Sequence, residues 1–226
     1  MKERGIIFNA EMLRAILDGR KTQTRRIIKP QPELTKGSGF SWNGAVYGAG
    51  SDDAETNRNF AHVKCPYGQL GDRLWVRETW QAIHDYCNES GNVDERRYPR
   101  SIPKQRGNYW HPVYAESWGN ECREDRQFPW RPAIHMPRWA SRITLEITGV
   151  RVERLNSVSE EDAQREGVQP LQGGYWKHYQ PIEWTQFQLS ARGSLATLWN
   201  SIYGDDSWWA NLWVWVVEFK RVEQQP

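Results

Sequence analysis

Residues 9–26, NAEMLRAILDGRKTQTRR, form the stretch on which the expected fold depends most. Its apolar side chains recur at the spacing of one helical face, at Leu13, Ile16 and Leu17. Asn9 is a favourable N-cap, and Gly19 favours a left-handed helix end. These signals predict a short amphipathic helix over Ala10–Asp18, followed by a basic segment, Arg20–Ile28, that leaves the end of the helix.

Patterns in the second half of the chain predict strands and two more helices. Apolar residues alternate over Ile143–Val152 with a change of phase, which predicts two strands or one strand bent by a bulge. Ser159 and the acids after it cap a short helix that Gly167 ends. A longer helix is expected around Leu195–Ile202. Leu212–Phe219 is nearly all apolar, which predicts a central strand buried on both faces.

The middle of the chain predicts one strand and two long irregular segments. Gly71 begins a turn into Leu74–Trp80, whose pattern predicts a strand. Residues 37–59 are rich in Gly, Ser, Asn and Asp and predict a surface loop. Residues 81–136 are poor in aliphatics and rich in Trp, which predicts an insertion draped over the domain. We therefore expect a single domain over 1–226, mainly β with short flanking helices (α+β).

Composition indicates a globular protein in a reducing compartment. Hydrophobic residues make up 38% and charged residues 26% of the 226 residues, and 14 Trp indicate an aromatic core. Three cysteines without close pairing, Cys65, Cys87 and Cys122, argue against a disulfide framework. Apolar runs are too short for a membrane span, and residues 1–10 lack the apolar stretch of a signal peptide. We expect a cytoplasmic monomer with no membrane partner.

Positive charge is clustered rather than spread over the chain. The formal net charge is only +2, yet residues 1–36 hold nine Lys or Arg against four Asp or Glu. A second basic stretch, interleaved with aromatic residues, comprises Arg97, Arg100, Lys104, Arg106, Tyr109 and Trp110. Bases stack on aromatic rings while phosphates meet guanidinium groups, so this stretch, here called the rim, predicts contact with single-stranded nucleic acid. A solvated loop remains the alternative.

A metal site is the weaker of the chemical alternatives. His62-x-x-Cys65 and His84-x-x-Cys87 have internal spacings that suit zinc. The expected strand Leu74–Trp80 lies between the two pairs and would separate them. The signatures of zinc deaminases and of phosphate-binding loops are absent from the sequence. We expect no metal and no cofactor.

Several segments resemble one known family. The run from Ala15 through Arg26 is similar to the Gly-Arg-Lys-Thr-x-Thr signature that opens ASCH domains. Residues 71–76, GDRLWV, resemble the turn of that family into a barrel strand, and residues 161–167, EDAQREG, resemble its helical segment. Residues 211–220 resemble its closing strand. The resemblance covers roughly half the chain and implies a small PUA-like β-barrel with a Trp-rich insertion.

The resemblance also implies a chemistry. The smallest bacterial ASCH proteins are amidohydrolases that remove the acetyl group from the exocyclic amine of cytidine. Their lysine proton acceptor, threonine nucleophile and glutamate proton donor fall on Lys21, Thr24 and Glu166. Threonine needs a neighbouring base to become a nucleophile, and an amine is such a base only when its pKa falls toward neutrality. We expect the three side chains to meet in one pocket, which requires a turn or bulge within Lys21–Thr24 because strand residues three apart face opposite sides.

Further residues are expected to bind the substrate or to compete for a role. The candidates are Arg20, Thr22, Arg25, Arg26 and Glu78, of which Glu78 is the rival carboxylate within the strand Leu74–Trp80. The expected ligand is a nucleoside or a single-stranded nucleic acid, RNA rather than DNA. Three other functions stay open: a reader of RNA, DNA or modified bases without catalysis, a ribonuclease, and a phage morphogenesis protein whose pocket is vestigial.

Overall fold

The computed structural model describes residues 1–35, 39–47, 64–107, 109–180 and 186–222. The chain forms two compact units. Unit 1 comprises residues 1–2, 15–72 and 146–221, and unit 2 comprises 3–14, 73–145 and 222–226. The architecture is mixed α+β, mostly strands with a few short helices. Within the described residues the strands pair into open sheets, and no closed barrel is formed.

Thirteen strands and five α-helices are formed by the described residues. The strands are β1 (Glu3–Ile7), β2 (Gln23–Ile27), β3 (Glu33–Thr35), β4 (Gly39–Trp42), β5 (Ala45–Tyr47), β6 (Arg73–Arg77), β7 (Trp80–Cys87), β8 (Val93–Arg97), β9 (His111–Tyr114), β10 (Thr144–Arg154), β11 (Trp176–Lys177), β12 (Phe187–Gln188) and β13 (Trp213–Val222). The helices are α1 (Ala10–Leu17), α2 (Ala115–Trp118), α3 (Arg123–Arg126), α4 (Glu160–Arg165) and α5 (Ala191–Tyr203). No described helix is both long and apolar enough to cross a lipid bilayer.

The predicted first helix is confirmed, with both of its end signals. The Asn9 side-chain oxygen accepts the Met12 N–H at 2.8 Å, as an N-cap does. Gly19 adopts a φ of +75°, which favours glycine. Beyond this turn the Lys21 N–H donates to the Ala15 carbonyl at 2.9 Å. The chain therefore enters β2 from a fixed direction.

The core of unit 1 is built on β13. Trp213, Val214, Val216 and Val217 are at most 1% exposed, so the predicted buried strand is confirmed. It pairs with β2 in antiparallel fashion, with Thr24 opposite Val217. The Phe219 N–H extends the pairing by donating to the Thr22 carbonyl at 2.8 Å.

The remaining helices and the strand before them also follow their sequence signals. β10 forms as one continuous strand rather than two. The Ser159 hydroxyl accepts the Asp162 N–H at 3.1 Å and begins α4, which ends before Gly167 at a φ of +86°. Ser190 caps α5 through the Gly193 N–H at 3.0 Å. Local capping chemistry thus sets the helix boundaries.

The predicted loop over 37–59 contains a hairpin. β4 pairs with β3 and β5, and the turn between β4 and β5 is Asn43-Gly44 with φ values of 52° and 79°. Positive φ at both central residues is the geometry of a type I′ turn, for which Asn-Gly is a strong signal. The loop prediction is wrong for residues 39–47, because the turn signal outweighs the polar composition. Residues 37, 38 and 48–59 lie outside the described residues.

In unit 2 the predicted strand Leu74–Trp80 is two strands. β6 pairs with β1 in parallel, whereas Trp80 begins β7 by donating its N–H to the Arg131 carbonyl at 3.1 Å. Glu78 and Thr79 lie between the strands. The prediction that Glu78 lies within a strand is therefore wrong, since the chain changes sheets there.

The segment 81–136 is more ordered than an insertion draped over a domain. β7 is the central strand of a three-stranded sheet in the order β8-β7-β9. Trp80, Ala82, Met136 and Ala140 form a buried cluster against which Trp110, Tyr114 and Trp139 pack. Unit 2 thus has its own core, in which aromatic side chains bury the area that the missing aliphatics would have buried.

Candidate functional site

Lys21 and Glu166, 145 residues apart in sequence, are in contact in unit 1. The Lys21 amine donates to the Glu166 carboxylate (Oε2) and to the Glu166 carbonyl, each at 2.8 Å. The Lys21 side chain is fully enclosed, and the Glu166 side chain is 3% exposed. The pair expected from the sequence is thus present, and it is shielded from water.

Backbone contacts hold this pair in place. The Thr22 N–H donates to the Arg165 carbonyl at 2.9 Å, which joins the start of β2 to the end of α4. Gly167 follows directly, and a Cβ there would lie 2.7 Å from both the Ala15 and the Lys21 Cβ atoms. Only glycine fits here without displacing its neighbours, which allows the end of α4 to lie close against Lys21.

Arg25 extends the pair into a larger ionic cluster. Its guanidinium donates to Glu166 at 3.0 Å, to Glu153 at 3.0 Å and to Asp162 at 3.2 Å, while its side chain is only 1% exposed. Arg151 bridges Glu153, Asp162 and Glu218. The cluster therefore contains three cations, Lys21, Arg25 and Arg151, and four carboxylates. Arg25 contacts three of these carboxylates.

Burial lowers the pKa of Lys21 from its ordinary value of 10.5, because the enclosed ammonium loses its hydration. The Glu166 carboxylate opposes this shift, and the charges of Arg26 and Arg25 add to it. A lysine can accept a proton only in its neutral form. The environment of Lys21 therefore moves it in the direction that a general base requires.

The Thr24 side chain is buried and carries an unsatisfied hydroxyl. It is 1% exposed, and its hydroxyl oxygen has no hydrogen-bond partner among the described residues. A buried hydroxyl without a partner costs about 1–3 kcal/mol. Groups of this kind call for an explanation, and a functional role is one.

The strand pleat places Thr24 on the other face of β2 from Arg25. Gln23 donates to the Asp162 carbonyl at 2.8 Å and Arg25 contacts Glu166, so both side chains face α4. Alternation turns Thr24 and Arg26 to the opposite face. A bulge was one of the two arrangements, a turn or a bulge, expected to bring Thr24 to the Lys21–Glu166 pair. The pairing of β2 with β13 contains no bulge over Gln23–Ile27.

Lys21 itself precedes β2 and does not share this alternation. The charges of Arg26 and Arg25, which lie on opposite faces of β2, both lower its pKa. The Thr24 hydroxyl makes no hydrogen bond to the Lys21–Glu166 pair. The meeting of the three side chains expected from the sequence is therefore seen for Lys21 and Glu166 only.

The other predicted substrate-binding residues of the basic segment have separate contacts. Arg20 donates to the Gly167 carbonyl at 2.8 Å and to Asp18 at 3.0 Å, and so helps to hold the end of α4. Thr22 is exposed and takes part through its backbone. Arg26 is half-buried on the Thr24 face. Of these residues, Arg26 is the best placed to meet a ligand at Thr24.

Glu78 has a different partner, within unit 2. It is 2% exposed and bound by Arg142 through two contacts of 2.9 and 2.8 Å. Burial raises the pKa of Glu78, and Arg142 opposes the rise. Arg142 also donates to Ser117 at 2.7 Å and lies over the Tyr114 ring. Arg142 binds both oxygens of the buried Glu78 carboxylate, so no ligand is needed to explain the burial of Glu78.

The rim residues, also in unit 2, divide into two groups. Arg97 is held by Glu95 through contacts of 2.9 and 3.1 Å and lies over the Tyr86 ring. Arg100, Lys104 and Arg106 are charged side chains without an ion pair to any described residue. The second group therefore keeps its charge available.

Aromatic rings accompany the second group. A concavity of about 330 Å³ is lined by Arg106, Gly107, Tyr109, Trp110 and His111. Tyr109 is 72% exposed, and the His84 ring contacts both Tyr109 and Trp110, with centroids 5.7 and 6.2 Å away. A guanidinium beside exposed rings is the combination that binds single-stranded nucleic acid.

The metal alternative has no support in the described part of the chain. There, no group of three or more His, Cys, Asp or Glu side chains is placed to hold an ion. His62, from one of the two candidate pairs, lies outside the described residues. Cys87, from the other pair, is exposed at the end of β7.

Sequence reasoning missed the acidic half of the ionic cluster. Glu153 and Arg151 alternate on β10, and Asp162 lies in the acidic first turn of α4. The spacing Arg-x-Glu on a strand places both side chains on one face, which is the signal that was present. Arg25, the common partner of Glu153 and Asp162, is more than 100 residues away from both, and no local pattern indicates it.

Comparison with family models, with curated proteins and with solved structures gives no match. The site is therefore interpreted from its own geometry and from the motifs of the chain.

Proposed function

We propose that this chain is an ASCH-type amidohydrolase with a PUA-like fold that removes the acyl group from an acylated cytidine. The observation that carries the proposal is the enclosed contact between the Lys21 amine and the Glu166 carboxylate at 2.8 Å. Such a pair can take up a proton at one atom and release it at the other. The Gly-Arg-Lys-Thr-x-Thr resemblance and the unpartnered Thr24 hydroxyl support the assignment.

The proposed reaction uses these three groups. Because Thr24 lies on the opposite face of β2 from Glu166, its hydroxyl proton must reach neutral Lys21 through a bridging water, and the Thr24 oxygen then attacks the acyl carbonyl carbon. The proton crosses from the Lys21 amine to the Glu166 carboxylate, which passes it to the exocyclic nitrogen as the C–N bond breaks. Cytidine leaves, and water then hydrolyses the threonine ester to release acetate and restore the hydroxyl. Arg26, on the Thr24 face, is placed to stabilise the carbonyl oxygen as negative charge develops.

Incubation of the purified protein with N(4)-acetylcytidine should release cytidine and acetate in equal amounts. The two products are followed by chromatography, with unmodified cytidine and N-acetyllysine as matched substrates that should remain unchanged. Absence of cytidine release above the rate without protein would overturn the proposed reaction.

Binding of single-stranded nucleic acid without hydrolysis is a second candidate, favoured by the rim. Arg106 and Tyr109 line one concavity, and Arg100 and Lys104 keep their charges near it in sequence. This candidate accounts for the rim but leaves the enclosed Lys21–Glu166 pair without a role. The assay above separates the two, since a reader binds the nucleoside and releases no product.

A further inference from the structure

A second concavity, of about 410 Å³, lies in unit 1 around the first turns of α5. We call it the α5 pocket; its lining includes Gln188, Arg192, Asn200, Trp208 and Trp209. None of these residues belongs to the Lys21 site. The α5 pocket combines aromatic, amide and cationic side chains in one small space.

One wall is an aromatic platform held by the backbone. Trp209 is 75% exposed, whereas its neighbour Trp208 is 5% exposed. The Trp209 N–H donates to the Asp206 carbonyl at 3.0 Å, and the Asn211 N–H donates to the Trp208 carbonyl at 3.2 Å. A large aromatic ring therefore stands in solvent on an ordered turn, where it offers a flat face on which a planar ligand can stack.

The polar edge of the pocket is oriented before any ligand binds. Asn200 Oδ1 accepts both the Ser207 hydroxyl at 3.1 Å and the Trp208 N–H at 3.0 Å, which leaves the amide NH₂ to donate. Gln188 uses its NH₂ on His178 Nδ1 at 2.7 Å, which leaves its oxygen to accept. The pocket thus offers one amide donor and one amide acceptor.

Two oppositely charged side chains, Glu160 and Arg192, line the pocket. The Glu160 carboxylate is engaged by the start of α5, where it accepts the Ala191 N–H at 2.8 Å and the Arg192 N–H at 3.3 Å. Arg192 donates to the Asn156 carbonyl, a neutral partner, at 2.8 Å. The Arg192 guanidinium is therefore the cation that can meet an anionic ligand.

We infer that the α5 pocket binds a nucleobase that carries a phosphate. The ring stacks on Trp209, Asn200 and Gln188 bond its donor and acceptor edge, and Arg192 meets the phosphate. A sugar also stacks on tryptophan, but a neutral saccharide makes no ion pair with Arg192. The inference does not rest on the proposed hydrolysis, because no residue is shared between the two sites.

The nucleobase can come from a free nucleotide or from a single strand. The probes are cytidine 5′-monophosphate and a fluorescently labelled oligocytidylate of about six nucleotides.

The full chain should bind the oligonucleotide, and Trp209→Ala should weaken binding by about fivefold or more. Trp209→Phe keeps a ring and should retain most of the affinity. Asn200→Asp keeps both acceptor contacts of Oδ1 and removes the donor, so it should weaken binding without unfolding the turn. Tyr175→Ala removes an exposed ring that does not line the pocket and should have no effect. Anisotropy gives the affinities, and urea unfolding verifies the fold of each variant.

Binding of the mononucleotide with the same Trp209 dependence identifies the free nucleotide as sufficient, whereas binding of the oligonucleotide alone identifies the strand. Wild-type affinity in folded Trp209→Ala overturns the inference, as does the absence of binding to both probes. Binding of a neutral oligosaccharide in their place also overturns it. Retained oligonucleotide binding in a protein without acetylcytidine hydrolysis would refute the proposed function alone.

Discussion

Lys21→Arg is expected to lower kcat for acetylcytidine hydrolysis by about 10²–10⁴-fold. Arginine keeps the positive charge beside Glu166, but a guanidinium does not lose its proton near neutral pH and so accepts none from Thr24. Affinity for acetylcytidine, measured by calorimetry in the inactive variant, should change little. The split between lost turnover and retained binding distinguishes a base from a residue that only holds the substrate.

Two sets of variants control this result. Lys21→Met removes the amine from the enclosed site while keeping an unbranched apolar side chain, and it should be as inactive as Lys21→Arg. Thr24→Ser should retain part of the turnover and Thr24→Ala none, because only the hydroxyl is required of a nucleophile. Hydrolysis at the wild-type rate in folded Lys21→Arg, or in Thr24→Ala, would refute the mechanism.

Arg25→Met is expected to reduce the free energy of unfolding by about 3 kcal/mol, the largest stability effect among single changes in the ionic cluster. The Arg25 side chain is 1% exposed and contacts Glu153, Asp162 and Glu166. Its removal leaves these carboxylates close together with less positive charge between them. Urea unfolding of both proteins at neutral pH measures the difference.

Arg165→Met is the matched control for this result. Its pair with Glu161 is exposed and its distance to Asp162 is 4.0 Å, so the change should lower stability by at most about 1 kcal/mol. A deficit under about 1 kcal/mol in Arg25→Met would show that the cluster is not structural.

The elements that could be predicted are those with local signals. α1 and α4 could be predicted because the residues at their ends, Asn9, Gly19 and Ser159, act within one turn of the helix. β13 could be predicted because its own residues are nearly all apolar. The hairpin around Asn43-Gly44 had such a signal too, and the composition of the surrounding loop obscured it. The break at Glu78 had none, because it depends on Trp80 pairing with the distant Arg131.

The same distinction separates the parts of the site. Lys21 and Glu166 were paired in advance through the motif resemblance, since spacing alone does not join residues so far apart. The partners of Arg25 and the orientation of Thr24 depend on the register of β2 against β13 and on where α4 packs. Such relations arise from tertiary structure, and no pattern within one segment indicates them.

The enclosed Lys21 amine is expected to lose its proton more readily than an ordinary lysine. Nitrogen NMR of ¹⁵N-lysine-labelled protein measures this directly, with the Lys21 resonance assigned by its absence from the Lys21→Arg spectrum. We predict a pKa below the ordinary 10.5, because burial outweighs the attraction of Glu166. Since the unfolded chain would then bind the extra proton, the contribution of Lys21 to stability should also increase as the pH rises toward 10.5. A Lys21 resonance that titrates at or above 10.5 would contradict the assignment of this amine as the general base.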